Sequence, residues 1–445
     1  MNSTKRVFKR KIYNKMLDWK NSRQGSTALL IEGARRIGKS TIVEAFAKQE
    51  YDTYILIDFN VVSPLVKSLF DDLTDLNYIF LTLQAVYHKS LKERKSLIIF
   101  DEVQQCPKAR QAIKYLVADG RYDYIETGSL ISIKKNIQDI TIPSEEERAA
   151  MYPMDYEEFR WALGDTTSIA LWQQAWTARR SLGEAAHRVA MRDLRLYMLV
   201  GGMPQAVNTY IDTNDLSFVD QTKRQIIKLY ADDFKKIDPS GRIGRLFVNI
   251  PAQLSRNSRR FIATSVIESS NVNGELITAL EESKTVNICY QVDNPQVGMG
   301  LTKNDNCYKL YVCDTGLFIT LAFWDKDFAD NTIYQKLLSD KLPANLGYIY
   351  ENLVAQMLKA QGHRLFYHSW YKDNKHFYEI DFLLSKGTKI CPVEVKSSGY
   401  NTHTSMDVFC EKFSSHIGER YLIYTKELRN DKMLQLLPAY MAIYL

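Results

Sequence analysis

The stretch that decides the fold is Thr27-Ala-Leu-Leu-Ile-Glu-Gly33-Ala-Arg-Arg-Ile-Gly38-Lys39-Ser40-Thr41, followed by the helix-forming run Ile42-Val-Glu-Ala-Phe-Ala47. It matches the pattern G-x-x-x-x-G-K-[ST], with a predicted strand before it and a predicted helix after it, as the pattern requires. In such a turn the backbone N–H groups and the helix N-terminus face nucleotide phosphates, the lysine reaches the β- and γ-phosphates, and the serine hydroxyl contacts Mg²⁺. We therefore expect an ATP site, with Ser40 as a magnesium ligand, at Gly33, Ala34, Arg35, Arg36, Ile37, Gly38, Lys39, Ser40 and Thr41.

A second motif supports this interpretation over a chance match of a glycine-rich turn. The apolar run Ser96-Leu-Ile-Ile-Phe100 has the pattern of a buried strand and ends at Asp101 and Glu102. In a P-loop ATPase the first carboxylate contacts Mg²⁺ and the second activates the attacking water. We expect Asp101 to be a magnesium ligand and Glu102 to be catalytic.

The composition is that of an ordinary globular protein. The chain has 445 residues, of which 45% are hydrophobic and 25% are charged, which is enough for about two to four domains. The basic N-terminal segment is not followed by an apolar signal region, and no apolar run approaches a membrane span, so we expect a cytoplasmic protein without a membrane partner. The six cysteines show no C-x-x-C pairing, which favours reduced, buried thiols over disulfides or a zinc site.

The distribution of charge is more informative than the formal net charge of +6. Lysine and arginine concentrate between Lys5 and Lys20 and again between Lys223 and Arg260. Such clusters permit a polyanion partner, and solvated helix faces explain them equally well.

From residue 27 to about residue 150, predicted strands and helices alternate, which indicates a mostly parallel sheet with its ligands at the C-terminal ends of the strands. Thr127 and Ser129 follow one of these strands. Either residue is placed to sense the γ-phosphate, although Thr-Gly-Ser is also an ordinary turn sequence.

Several motifs in order resemble those of prokaryotic AAA-type ATPases that carry a C-terminal domain of unknown function. They are Gly33 to Thr41, Asp101-Glu-Val-Gln104, Thr127-Gly-Ser129, Tyr152-Pro-Met-Asp-Tyr-Glu-Glu-Phe159 and Gly201-Gly-Met-Pro204. The resemblance implies a P-loop AAA+ core over residues 1–150 and a helical lid over 151–238, with Gly201 and Gly202 near the nucleotide. It also implies a homo-oligomer, for which Arg148 is one candidate arginine finger, a surface arginine being the alternative.

Residues 239–325 are predicted to form a winged helix, which the resemblance also implies. Helices are expected over Arg242 to Leu254, Phe261 to Glu268 and Gly274 to Ser283, followed by a hairpin whose strands are Thr285 to Val292 and Cys307 to Cys313. The third helix of such a fold often contacts DNA. Here it carries Glu275, Glu281 and Glu282, which would repel phosphates, so we expect any DNA contact to come from Arg256, Arg259 and Arg260.

A second group of candidate catalytic and metal-binding residues lies within residues 326–445. If Gly387-Thr388 forms a hairpin turn, Asp381 faces Glu394 and Glu379 faces Lys396, all on one face, while Phe382, Val393 and Val395 point into a core. Glu351, on a predicted helix from Gly347 to Leu358, is placed to join them. Carboxylates with a nearby lysine are what magnesium-dependent phosphodiester cleavage requires.

This arrangement resembles the PD-(D/E)xK nuclease fold. Asp381, Glu394 and Lys396 match its motif, with Ile380 in place of the usual proline. The resemblance implies that Asp381, Glu394 and Glu351 bind Mg²⁺ and that Lys396 acts with Asp381 and Glu394 in catalysis. Glu-x-Lys also occurs by chance on exposed strands, where it is mildly stabilising.

The sequence thus predicts an α/β protein: a P-loop AAA+ ATPase with a helical lid, a winged-helix connector and a C-terminal PD-(D/E)xK nuclease-like domain, using ATP and Mg²⁺ and acting on DNA. One alternative is a signalling or regulatory ATPase whose C-terminal domain is an inactive nuclease fold used for partner binding. Another is a DNA translocase or remodeller that does not cleave.

Overall fold

A computed structural model describes residues 6–128, 141–256, 258–268, 274–325, 332–339, 347–374, 376–397, 403–431 and 433–445. By internal packing the chain divides into two units, Met1–Tyr152 with Glu282–Lys284, and Pro153–Glu281 with Thr285–Leu445. Of the helices in the described ranges, none combines the length and the apolar character that crossing a lipid bilayer demands.

The first unit is built on a parallel sheet. Its elements are α1 (Ile12–Arg23), β1 (Ala28–Glu32), α2 (Lys39–Glu50), β2 (Thr53–Asp58), α3 (Pro64–Ser68), α4 (Leu76–Tyr87), β3 (Ser96–Asp101), α5 (Pro107–Asp119), β4 (Asp123–Gly128) and β5 (Glu146–Ala150). The strand order is β2-β3-β4-β1-β5, and every pairing is parallel. The predicted α/β fold with a parallel sheet is therefore confirmed.

The burial of the strands follows from their positions in the sheet. All residues of β1, β3 and β4 are buried, as expected for inner strands covered on both faces. The sequence analysis missed β5, because its charged sequence, Glu146-Glu-Arg-Ala-Ala150, is that of an edge strand and lacks an apolar run. Strand β4 separates β1 from β3, so Thr127 on β4 lies between the ends of the two strands that carry the nucleotide motifs.

A charged network is buried within this unit. Arg110 on α5 donates two hydrogen bonds to the carboxylate of Glu146, at 2.7 and 2.8 Å. Glu126 on β4 is fully buried, and burial, reinforced by the neighbouring Glu146, raises its pKa well above the ordinary value. The buried position therefore favours the protonated, uncharged form of the Glu126 carboxyl group.

Glu126→Gln is expected to remove a pH dependence of stability. Because the pKa of Glu126 is raised in the folded protein, this group releases its proton at a higher pH there than in the unfolded chain, where the pKa is about 4.3. The free energy of unfolding of the wild type therefore falls as the pH rises from there towards the folded pKa, by at most about 1.4 kcal/mol per pH unit. Because glutamine does not titrate, the free energy of unfolding of the variant, measured in urea, should fall less than that of the wild type as the pH rises above about 4.3.

The exposed Glu93→Gln variant serves as the control for this measurement. It should follow the pH profile of the wild type. Parallel profiles for wild type and Glu126→Gln would show that Glu126 is not protonated in the folded protein.

The second unit begins with a helical segment. Its helices are α6 (Tyr156–Ala162), α7 (Thr167–Ala178), α8 (Glu184–Val200), α9 (Pro204–Thr213) and α10 (Leu216–Ile237). Gly201 and Gly202 join α8 to α9. The Gly202 N–H donates to Asp314 at 2.5 Å, and a Cβ at Gly202 would lie 1.9 Å from the Met154 carbonyl oxygen. Close backbone packing inside this unit therefore accounts for the glycine at this position, and its nearness to the nucleotide stays a prediction.

The region predicted as a winged helix differs from that prediction. It contains α11 (Arg242–Val248), α12 (Ile250–Ser255), α13 (Gly274–Glu282) and the antiparallel strands β6 (Val286–Val292) and β7 (Lys303–Val312). The first predicted helix is broken at Asn249, and a new helix begins at Ile250 with Pro251 in its first turn. The second predicted helix is reduced to a single turn at Ala263–Ser265.

The hairpin formed by β6 and β7 is part of a larger sheet and does not project as the wing of a winged helix would. Strand β6 also pairs, in parallel, with β8 (Leu365–Tyr371), which in turn pairs with β9 (Phe377–Ile380). The result is a four-stranded sheet of order β7-β6-β8-β9. The winged-helix interpretation is therefore not confirmed.

The remaining elements of the second unit form a mixed sheet flanked by helices. They are α14 (Thr315–Ala322), α15 (Thr332–Leu338), α16 (Gly347–Ala360), β10 (Phe382–Lys386), β11 (Lys389–Val395), α17 (Thr404–Lys412), β12 (Arg420–Tyr424), β13 (Arg429–Asp431) and β14 (Leu434–Pro438). The sheet has the order β10-β11-β12-β14-β13. Its first hairpin has the predicted register, with Phe382 opposite Val393 and Lys386 opposite Lys389.

Candidate nucleotide and carboxylate sites

The turn between β1 and α2 has the geometry that its motif predicts. Gly38, which precedes α2, has a φ of 92°, a left-handed conformation that favours glycine. Lys39 is buried, and its Nζ donates to the carbonyl oxygens of Gly33 and Ala34, both at 3.0 Å. Burial lowers the pKa of the Lys39 ammonium, an effect that the nearby carboxylates of Glu102 and Asp101 oppose. The ammonium group is thus held inside the loop.

The two predicted magnesium ligands of this site are adjacent. The Ser40 hydroxyl donates to Asp101 Oδ1 at 2.7 Å, and the Thr127 hydroxyl donates to the same oxygen. A hydroxyl and a carboxylate at the start of a phosphate-binding helix are oxygen ligands of the kind that Mg²⁺ takes beside a triphosphate. Of the two candidate sensors, Thr127 is placed at the site, and Ser129 lies outside the described residues.

Glu102 has an unusual backbone conformation, and its side chain is fixed by a hydrogen bond. Its φ of 54° is left-handed, which is uncommon for a residue other than glycine and is concentrated at functional sites. The Gln104 side-chain amide donates to Glu102 Oε2, and the Glu102 N–H donates to Thr127 Oγ1 at 3.3 Å. In the sequence, Gln104 stands out only as part of the motif Asp101-Glu-Val-Gln104, which does not predict this contact.

Arg148, the candidate arginine finger, is paired within its own unit. Its guanidinium lies 3.0 Å from Glu146 and 3.6 Å from Glu32, and 45% of the side chain is exposed. These ion pairs give Arg148 a structural role within its own unit. They therefore favour the alternative that it is a surface arginine and not an arginine finger.

The predicted residues of the second site also come together. Glu394 on β11 and Asp381, between β9 and β10, are buried, and Lys396 Nζ lies 2.6 Å from Glu394 Oε1. Asp381 Oδ2 accepts a hydrogen bond from the Val395 N–H at 2.7 Å. Glu351 on α16 joins the group through its ion-pair partner Lys309, described next.

One predicted contact of this site is wrong. Glu379 does not face Lys396, because the strand bends at Asp381 and β9 pairs with β8, which places Glu379 opposite Ser369. Its carboxylate instead lies 2.5 Å from Lys309 Nζ on β7, which is also 3.7 Å from Glu351. Lys309 was missed because it is remote in sequence, although a lysine inside the apolar strand sequence Cys307-Tyr-Lys-Leu-Tyr-Val312 was a signal.

The charges of this group, which we call the carboxylate cluster, do not balance. It comprises Glu351, Glu379, Asp381, Glu394, Lys309 and Lys396. Burial raises the pKa of Glu351, Glu379 and Glu394, and the lysines oppose that shift. Fully ionised, the four carboxylates would exceed the two ammonium groups by two charges, which is the charge of a divalent cation.

The donor set of the carboxylate cluster fits such a cation in chemistry. Glu394 Oε2 and Glu379 Oε2 are buried without a hydrogen-bond partner, and carboxylate oxygens are the ligands that Mg²⁺ prefers. Within the described ranges, no three His, Cys, Asp or Glu side chains already converge as a metal ion needs. Metal binding at the cluster would therefore require its side chains to move out of their ion pairs with the lysines.

Comparison with known families identifies the first unit. Residues 25–160 match the AAA domain family, which confirms the predicted AAA-type P-loop domain. Residues 191–327 and 346–440 match two families described only as domains of unknown function, DUF8612 and DUF4143. No curated protein matches the chain.

Solved structures with partial similarity include two archaeal ATPases. A Walker-type ATPase of Pyrococcus abyssi is 15% identical with a TM-score of 0.42, over 71% of this chain and 96% of that one. A STAND protein (Signal Transduction ATPase with Numerous Domains) with a tetratricopeptide repeat sensor, from Pyrococcus horikoshii, is 9% identical with a TM-score of 0.29, over 80% of this chain and 48% of that one. The assignment of the AAA domain rests on the family match and on the geometry of the P-loop.

Proposed function

We propose that this protein is an ATPase whose nucleotide cycle controls magnesium-dependent cleavage of DNA at the carboxylate cluster. The observation that carries the proposal is the meeting of Glu351, Asp381, Glu394 and Lys396, from separate elements, in one largely buried group. Burying that many carboxylates is costly for folding alone, so a functional reason is favoured. We further propose that the protein works in the cytoplasm as a homo-oligomer.

In the nucleotide site, each side chain has a role in hydrolysis of the γ-phosphate. Lys39 binds the β- and γ-phosphates, and Ser40 and Asp101 would hold Mg²⁺, which neutralises charge on the phosphates. Glu102 orients the attacking water and accepts its proton, and Thr127 contacts the γ-phosphate region through its hydroxyl.

Gln104→Ala is expected to lower the turnover of ATP about tenfold or more while leaving nucleotide affinity unchanged. The amide of Gln104 fixes the carboxylate that must face the water, and a misplaced catalytic group costs rate rather than binding. Steady-state hydrolysis together with binding of a fluorescent ATP analogue separates the two quantities. The exposed neighbour variant Gln105→Ala should retain both, and equal turnover in the two variants would refute the role of Gln104.

In the carboxylate cluster, Glu351, Asp381 and Glu394 would hold Mg²⁺, which polarises the phosphodiester and lowers the pKa of a bound water. Lys396, whose side chain is 38% exposed, is the member with access to a substrate phosphate. Its ammonium orients the water and stabilises the negative charge that develops on the phosphate.

The direct test is incubation of the full-length protein with supercoiled plasmid and with single-stranded DNA, with Mg²⁺ or EDTA, and with or without ATP. Cleavage that requires Mg²⁺ and changes with ATP is expected. A preparation that leaves every nucleic acid intact under all these conditions would overturn the proposal. DNA-stimulated ATP hydrolysis with intact DNA would point to a translocase or remodeller instead.

One observation favours the regulatory alternative. Lys309 already supplies a positive charge between Glu351 and Glu379, and a cluster whose lysines neutralise part of its carboxylate charge can serve as a stable docking domain without a metal. Binding of Mn²⁺, followed by electron paramagnetic resonance, separates these functions. A nuclease should bind Mn²⁺ ions that Asp381→Asn fails to bind, and a docking domain should bind none at this cluster.

A further inference from the structure

The sheet face that contains Glu379 continues to an exposed hairpin tip. Because side chains alternate along strands, Ser369 and Tyr371 of β8 lie on one face with their partners Glu379 and Phe377 of β9. The opposite face is a core, in which His368 and Trp370 stack with centroids 5.2 Å apart. One face thus runs from the aromatic pair Tyr371 and Phe377, past Glu379, to Asp381.

Arginine and aromatic side chains combine at this tip. The Arg259 guanidinium lies 4.4 Å from the Tyr371 ring centre and 6.0 Å from that of Phe377, and its Nε donates to Ser369 Oγ at 3.2 Å. The Tyr371 side chain is 67% exposed despite these contacts. A guanidinium stacked on an exposed ring offers a π-face for a base and a positive charge for a phosphate.

The charge around the tip is mainly positive. Arg260, which follows Arg259, is exposed. Lys372 is exposed as well, and its Nζ lies 5.6 Å from the ring centre of Tyr378, on the opposite face of the strand pair. Asp373 is the acidic residue of the tip, and it is paired with His376 Nδ1 at 2.9 Å. The surface formed by Arg259, Arg260, Tyr371 and Phe377, which we call the hairpin platform, therefore complements a polyanion that also carries aromatic rings.

The distance from the hairpin platform to the cluster suits a strand of nucleotides. Phe377 and Asp381 are four positions apart along nearly continuous strands, which corresponds to about 13 Å at 3.3 Å per residue. A base stacked on Tyr371 would leave the next phosphodiesters to continue towards Lys396, whose side chain is 38% exposed. Ser369 is buried and the Glu379 side chain is only 11% exposed, so these two residues are not part of the path. A duplex cannot bind in this way, because its bases are stacked on each other and do not reach a protein ring.

We propose that the hairpin platform binds single-stranded DNA and directs it towards the carboxylate cluster. The destination of the strand rests on the proposed nuclease function, whereas binding at the platform does not. Arg259 and Arg260 are two of the three arginines, with Arg256, from which the sequence predicts any DNA contact of this region. The new elements are the aromatic partners and the single-stranded form of the ligand.

The test is binding of a fluorescein-labelled single-stranded oligonucleotide to the full-length protein, followed by anisotropy in EDTA so that cleavage cannot interfere. Tyr371→Ala should weaken binding about tenfold or more, since one base–aromatic stack contributes on that scale. Tyr371→Phe should bind like the wild type. Tyr78→Ala, which removes an exposed tyrosine from the first unit, should also leave affinity unchanged.

A second measurement concerns the charge. Arg260→Ala should reduce the slope of log affinity against log salt concentration by about 0.7, the value for one phosphate of a single strand. Polyglutamate, which has charge without bases, should compete poorly with the oligonucleotide.

Equal affinity of wild type and Tyr371→Ala, equal competition by polyglutamate, or tighter binding of duplex than of single strands would each overturn the inference. Cleavage that occurs without dependence on Tyr371 would overturn the hairpin platform and leave the nuclease function intact. Binding that depends on Tyr371 without any cleavage would support the platform and remove the nuclease.

Discussion

Replacement of Lys39 with alanine is expected to reduce ATP hydrolysis by about a hundredfold or more. The Lys39 ammonium is held inside the phosphate-binding turn by the Gly33 and Ala34 carbonyl oxygens, so it is already positioned for the β- and γ-phosphates. Removing a preorganised charge that stabilises a transition state costs two to three orders of magnitude, or about 2.7–4 kcal/mol, in comparable cases. Release of phosphate, followed at saturating ATP, measures the effect.

Lys48→Ala is the matched control for Lys39→Ala. Lys48 lies in the same helix, α2, but its side chain is 57% exposed and pairs with Glu44 at 2.7 Å on the surface. This variant should hydrolyse ATP like the wild type. Hydrolysis at the wild-type rate in Lys39→Ala would show that ATP is turned over elsewhere on the chain.

Replacement of Asp381 with asparagine is expected to abolish Mg²⁺-dependent cleavage of DNA, with a loss of more than about a hundredfold. Asparagine retains an oxygen that can accept the hydrogen bond of the Val395 N–H, so the hairpin should keep its structure while losing one negative charge. Mutations of residues that only support a metal ligand already cost about ten- to a hundredfold, so loss of a ligand should cost more. Conversion of supercoiled plasmid to nicked plasmid measures the rate.

Two further variants accompany Asp381→Asn: one at a second functional residue and one control. Lys396→Met removes the ammonium group that is proposed to orient the water, and should show a similar loss of Mg²⁺-dependent DNA cleavage. Lys389→Ala, at an exposed position of the same strand β11, should cleave normally. Undiminished nicking by Asp381→Asn would indicate a contaminating nuclease or a different active site.

The local parts of the fold could be predicted from sequence because local patterns determine them. The P-loop needs glycines and a lysine at fixed spacing, and a two-residue turn at Gly387-Thr388 fixes the register of β10 and β11. The contacts of Ser40 with Asp101 follow from the parallel sheet, which brings the C-terminal ends of its strands to one edge.

The long-range parts could not be predicted in this way. Lys309 reaches Glu351 and Glu379 only because β7, β6 and β8 share a sheet, and no spacing rule relates these residues. The bend at Asp381 transfers the chain from one sheet to another and turns Glu379 away from Lys396. Gln104 was identified as part of a motif, but its contact with Glu102 depends on a left-handed backbone that sequence alone does not reveal.

The parallel pairing of β6 with β8 limits how this protein can be divided, whether by recombination of its gene or by truncation in the laboratory. The two matched families of unknown function meet at this pairing, with β6 inside the first and β8 inside the second. A fragment beginning at residue 346 would lack β6, so the backbone N–H and C=O groups along one edge of β8 would lose their strand partner. It would also lack Lys309, the ion-pair partner of Glu379. The two segments form one inseparable structural element, and they are expected to be inherited together.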